Sequence, residues 1–134
     1  RDRTGESAQL YLRDGDHRVC VAASESPHGL GTIVSVGAVL PVDRGSAGHV
    51  LLDEAGPRGW LASVAEREVG VASVSAPIRG ADGTVIAAIG VSGPTRHSVS
   101  FSWRVIMVCS SYPNLRYGSP ARRHQYSHAR STPT

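Results

Sequence analysis

Four segments in which apolar and polar residues alternate, joined in pairs by glycine-containing turns, leave this chain little choice but an antiparallel sheet. Ala8, Leu10 and Leu12 alternate with Gln9, Tyr11 and Arg13, and the same period of two returns across Val19, Val21 and Ala23. Only a strand places every second side chain on one face. Between them Asp14-Gly15-Asp16 supplies the glycine whose positive φ a tight hairpin turn requires. A longer pair runs from Val71 to Ile78, turns through Arg79-Gly80-Ala81-Asp82-Gly83 and returns from Thr84 to Ser92. It carries Val71, Val74, Ile78, Val85, Ile86, Ile89 and Val91, β-branched residues that pack well on a pleated surface. Thr32 to Val42 is a further strand candidate, interrupted by Gly37 and stopped near Pro41, which has no N–H to give to a central ladder. The expected sheet has five or six antiparallel strands.

Helical signal is thinner. Ser46 to Leu52 reads as a short helix with Ser46 as candidate N-cap and Val50, Leu51 and Leu52 turned to the sheet, ending near Gly56-Pro57. Short helices beside an antiparallel sheet make an α+β domain. A length of 134 residues leaves room for one such domain. With 40% hydrophobic but only 5% aromatic residues, its core must be built from Val, Ile, Leu and Ala.

The formal charge of +3 belongs to one end of the chain. Every acidic residue lies at or before Asp82, whereas Arg96, Arg104, Arg116, Arg122, Arg123 and Arg130 follow with no carboxylate to balance them. Residues 97–134 are rich in Ser, Arg, His and Pro and show no periodicity beyond the run Trp103 to Cys109, so this part is expected to be a poorly ordered basic tail. Such a tail reads either as an arm for nucleic acid or another acidic partner, or as an uninformative segment, even one translated out of frame. Only Cys20 and Cys109 are present, which argues against a disulfide framework and for a reducing compartment, the cytoplasm. No run of about 18 apolar residues suggests a membrane span. The chain opens at Arg1 rather than Met, as a piece of a longer protein would.

Catalysis finds no residues to rest on. Cys20 sits in the middle of a strand with no adjacent His, the setting of a small buried hydrophobe rather than a nucleophile. His124 and His128 have the i, i+4 spacing of a metal pair on a helix, but the surrounding Arg, Ser and Pro and the missing Glu do not resemble a metalloprotease motif. No glycine-rich phosphate loop and no supported Ser-His-Asp order is present. The chain is therefore expected to be a binding protein and not an enzyme, with no cofactor and no metal.

Five stretches, taken in order, resemble the C-terminal effector-binding domain of the IclR-type bacterial transcriptional regulators. They are Thr4-Gly5-Glu6-Ser7-Ala8-Gln9-Leu10, Val36-Gly37-Ala38-Val39-Leu40-Pro41, Gly45-Ser46-Ala47-Gly48-His49-Val50-Leu51-Leu52, Gly59-Trp60 through Glu66, and Ala72-Ser73-Val74-Ser75-Ala76-Pro77 to Val91-Ser92-Gly93-Pro94. The resemblance covers about residues 1 to 95, giving a domain at 1–96, and implies a GAF-like α+β fold, an antiparallel sheet flanked by short helices. Two departures stand out: the long helical connection of the family is cut to Asp53 to Arg58, and the tail does not look like the family's closing helix.

The family's ligands are typically small organic or aromatic acids. The resemblance therefore implies an acid effector held by backbone N–H groups at the start of a helix, at Ser46 and Ala47. Ser63, Ser73 and Ser92 match positions that face the ligand in relatives. Gly90 replaces a polar side chain and implies a roomier, less polar pocket, while Ile33, Val39 and Leu40 would form apolar walls. His49 stands where many relatives carry Lys and is expected to be a surface histidine. The resemblance further implies a homo-oligomer that meets DNA only through a winged helix-turn-helix domain absent from these residues. The alternative is a truncated GAF-like interaction or oligomerisation module without a working pocket.

Overall fold

The computed structural model of the chain describes residues 5–26 and 34–95. Among them are six strands, β1 (Ser7–Asp14), β2 (His17–Ser24), β3 (Val39–Pro41), β4 (Leu61–Val64), β5 (Val71–Arg79) and β6 (Val85–Pro94). One α-helix, α1 (Gly45–Leu51), and a single 3-10 turn at Gly56–Arg58 lie between β3 and β4. The strands form one sheet in the order β3-β2-β1-β6-β5-β4, and every neighbouring pair is antiparallel. This is a GAF-like α+β arrangement, an antiparallel sheet with a helix on one face, as expected from sequence.

Both turns expected from sequence close hairpins. Gly15, at φ 59°, lets Asp14 pair with His17 across two residues. The β5–β6 turn is tied by the Gly80 amide on the Thr84 carbonyl at 2.9 Å and by the Arg79 guanidinium on the Gly83 carbonyl at 2.9 Å. The candidate strand from Thr32 shrinks to Val39–Pro41. Its partner β2 takes it up only along His17 to Val19, and the Cys20 carbonyl instead accepts the Gly37 amide at 2.7 Å. Thr32 and Ile33 lie outside the described residues, as does the whole of 97–134 with Cys109, His124 and His128.

The faces of the sheet are divided in an unexpected sense. Residues paired across an antiparallel ladder share a face. One face therefore carries a row Ser63, Ser73, Ser92, Ser7 and a second row Leu61, Ser75, Gly90, Gln9. This polar face is the one that α1 covers: the Ser46 hydroxyl on the helix reaches Ser73 and Ser75. The opposite face is apolar, with Ala62, Val74, Val91 and Ala8 in one row and Ala76, Ile89, Leu10 and Ala22 in the next. Trp60 packs there against Ala72 and Val74, yet Leu12, Val39, Val64 and Ile89 remain exposed.

The alternation across Val19, Val21 and Ala23 does not survive as a single face. A bulge pairs Tyr11 with Cys20 but Leu10 with Ala22, leaving Val21 outside the ladder and exposed. The residues of β2 that point under the helix side are Arg18 and Cys20, both buried.

Helix α1 sits on the sheet through a small apolar cluster of Val50, Leu51, Ala47, Tyr11, Cys20 and Ala88, with Val42 and Val34 closing its side. Val50 and Cys20 have no exposed surface. The helix begins one residue earlier than sequence suggested. Arg44 takes the cap position without a side-chain cap bond, and Gly45 enters at φ 76°. Ser46 is thus no N-cap; its hydroxyl faces the sheet.

Two contacts fix the seat of α1. At Gly48 an added Cβ would run into the Val42 carbonyl and come within 2.5 Å of Arg18 Nη1. On the outer side His49 bridges two carboxylates, Nδ1 at 2.6 Å from Glu54 and Nε2 at 2.5 Å from Glu66, and so ties the helix to the β4–β5 connection. The bond to Glu66 chiefly, and that to Glu54 after it, raises the His49 imidazole above its ordinary value of 6.5, against the opposing effect of partial burial.

Gly48→Ala should lower stability by about 1–3 kcal/mol, the usual range for overpacking, seen as an earlier midpoint in denaturant unfolding. A histidine raised in the folded state stabilises fully below its unfolded value near 6.5 and loses that contribution as pH climbs through the raised folded value. Unfolding curves taken from about pH 6 upward should show the advantage of the wild type over His49→Gln shrinking with rising pH. A constant difference would remove the ionic role of His49.

Candidate functional site

The polar face leaves a cavity of about 20 Å³ beneath the first turn of α1. That is room for about one water molecule. Its helix side is Gly45, Ser46 and Ala47; its floor is Ser73, Ser75, Gly90 and Ser92; its flank is Gln9, Tyr11 and Arg18. Arg67, from the β4–β5 connection, also reaches it.

Ser46 is nearly fully buried, and its Oγ lies 2.7 Å from the Ser73 Oγ and 2.7 Å from the Ser75 Oγ. Each hydroxyl can donate one bond and accept two, so this chain can turn its protons toward an incoming acceptor or donor without moving a heavy atom. Beside it the Ser92 hydroxyl donates to Gln9 Oε1 at 3.2 Å. Gly90 is needed where it stands: a Cβ there would approach the Ser75 hydroxyl to 2.5 Å. The expectation of a roomier, less polar pocket at Gly90 is therefore corrected, because Ser75 fills that space with an alcohol.

Arg18 lies against the other side. It is 2% exposed, its Nη1 donates to the Arg44 carbonyl, and its guanidinium stands 5.1 Å from the centre of the Tyr11 ring. Among the described residues its Nε–H has no hydrogen-bond partner. Burial pulls the Arg18 guanidinium below the ordinary arginine value, with Tyr11 opposing, and the same burial raises the Tyr11 phenol, which therefore stays neutral.

Of the residues singled out from sequence, Ser46, Ala47, Ser73, Gly90 and Ser92 come together around this cavity. Ser63 stands one step back, its hydroxyl 3.4 Å from that of Ser73. Leu40 packs against the apolar cluster and lies outside the lining, because β3 is at the far edge of the sheet. Val39 is exposed on the opposite face, so it walls nothing. Gln9, Tyr11, Arg18, Ser75 and Arg67 were missed. For Arg18 the signal was a charge near the start of an alternating strand, two residues before Cys20 and so on the same face as it, opposite Val19. Among the described residues no group of three or more metal-ligating side chains gathers, and no helix is long and apolar enough to cross a membrane.

Residues 52–101 match the family described as bacterial transcriptional regulator IclR C-terminal. The fold is similar to that of an IclR-family transcriptional regulator from Rhodococcus sp., at 27% identity and a TM-score of 0.75, with 84% of this chain and 55% of that one covered. The C-terminal domain of a transcriptional regulator from Vibrio cholerae is similar at 23% identity and a TM-score of 0.75, covering 84% of this chain and 86% of that one. The IclR protein of Thermotoga maritima is similar at 18% identity and a TM-score of 0.71, covering 84% and 61%. No curated protein matches the chain. By its fold and by the sequence of residues 52–101, this chain is similar to the C-terminal domain of the IclR-type bacterial transcriptional regulators.

Proposed function

We propose that this chain is the effector-binding module of a cytoplasmic IclR-type regulator, taking a small organic or aromatic acid between α1 and the serine-lined face of the sheet. The family consists of transcriptional regulators rather than enzymes. The observation that carries the reading is the buried hydroxyl chain Ser46, Ser73 and Ser75 at the wall of a cavity, a costly arrangement for a domain that needed only a core. Ser46, Ala47, Ser73, Gly90 and Ser92 contact the effector, with Ser63 behind them and Leu40 as part of the apolar support.

The cavity in this state accepts about one water, so an acid of several heavy atoms enters only when the Ala65 to Gly70 connection, with Arg67, draws back. The two positions of that connection are the two states an effector distinguishes. Their difference is passed to a DNA-binding winged helix-turn-helix domain outside these residues.

A thermal-shift screen of the chain against small carboxylic and aromatic acids tests this. A ligand at about 100 times its Kd adds about 2.7 kcal/mol, which in a domain of this size raises Tm by roughly 4–8 °C per kcal/mol. A flat panel would end the ligand-binding reading.

The second reading, a module for oligomerisation, is favoured by the exposed Leu12, Val39, Val64 and Ile89 on the uncovered apolar face. The chain then forms homo-oligomers through that face. Analytical ultracentrifugation should find the wild type associated and Ile89→Lys shifted toward monomer; equal sedimentation of the two would exclude the face.

A further inference from the structure

We propose that Arg18 is the charge-reading residue of this pocket, so that a guanidinium on β2 joins the main-chain amides of the first turn of α1 in holding the ligand's carboxylate. The inference rests on the reading that the cavity takes a ligand. It commits that ligand to an anion and names the group that selects it.

The argument begins with an uncompensated charge. Arg18 is 2% exposed, yet among the described residues no carboxylate stands within ion-pair distance of it. Glu66 and Asp43 act on it only through space, and Glu66 is engaged by His49. A buried cation without a counter-charge is among the least favourable things a fold can carry. Its surroundings supply one hydrogen bond to a neutral carbonyl, that of Arg44, and the face of the Tyr11 ring. The Nε–H is left with nothing. That orphan donor belongs to a side chain lining the cavity, and Nε with its adjacent Nη is the side-on fork that a carboxylate matches with two parallel bonds.

The helix is shaped around this guanidinium. An added Cβ at Gly45 would approach Arg18 Nη2 to 3.3 Å, and one at Gly48 would approach Nη1 to 2.5 Å. Across the opening a second cation, Arg67, has among the described residues only an adjacent Glu68 at 3.7 Å as ion-pair partner and lines the same cavity. Two cations and no acid at a pocket of alcohols is a site for a negative group: the arginines hold the charge, and the Ser46, Ser73 and Ser75 hydroxyls read what is attached to it.

The full chain can be tested with matched probes: acetate, propionate and benzoate against acetamide, propionamide and benzamide. The acids should raise Tm and the amides should not. In Arg18→Met the acid affinity should fall at least tenfold, while the melting temperature without ligand stays level or rises, since an unbalanced buried charge has been removed. If Arg18→Met does not fold, the wild type alone decides. The Arg18 Nε–H resonance, assigned through Arg18→Lys, should move in a 1H-15N spectrum with acid and not with amide.

Acids and amides stabilising alike, an acid response kept in Arg18→Met, or an unmoved Nε–H while acids stabilise would each overturn the role of Arg18 and leave the pocket standing. Silence from both acids and amides would bring down the pocket, and the role of Arg18 with it.

Discussion

Gly48 brings α1 against the Val42 carbonyl and the Arg18 guanidinium at a separation that no larger residue would allow. From that approach follows the position of Ser46, whose hydroxyl can span to Ser73 and Ser75 only because the first turn of the helix is pressed onto the sheet. The apolar cluster of Val50, Leu51, Tyr11 and Cys20 supplies the force that holds the helix down. It is small, because the low aromatic content leaves few large side chains to bury. The polar contacts beside it decide direction rather than strength: hydroxyl to hydroxyl at one end of the helix, His49 between two carboxylates at the other.

A sheet with its alcohols under a helix and its valines outward reverses the usual division of a two-layer domain. Buried polar groups are tolerated when each finds a partner. Here the serines satisfy one another and Gln9 satisfies Ser92. The exception is the Arg18 Nε–H. The stability of this region is thus set by how its polar groups are matched.

Strand identity was legible in the sequence and strand phase was not. The period of two and the glycine turns located β1, β2, β5 and β6 to within a few residues, because turn geometry demands Gly15 and Gly83 at positive φ whatever the tertiary context. Which face is covered cannot be read when polar residues are inward and apolar ones outward, since alternation looks the same either way. The bulge at Val21 then hid Arg18 and Cys20 behind the more obvious valines. Ser46, Ser73 and Ser92 were singled out through the family resemblance alone; as isolated serines on a strand or helix start they carry no signal. Leu40 failed because β3 is only three residues long and ends at the far edge, which no local pattern announces.

Both borders of the sheet are short: β3 has three residues, the last of them Pro41, and β4 has four. Borders of this kind offer few free main-chain donors and acceptors to a foreign strand, and proline offers none at its nitrogen. A second polypeptide therefore gains little by extending the ladder sideways. Were two copies to meet through the exposed apolar face, their relative orientation would be set by the shapes of their valine and leucine rows and not by hydrogen-bond register.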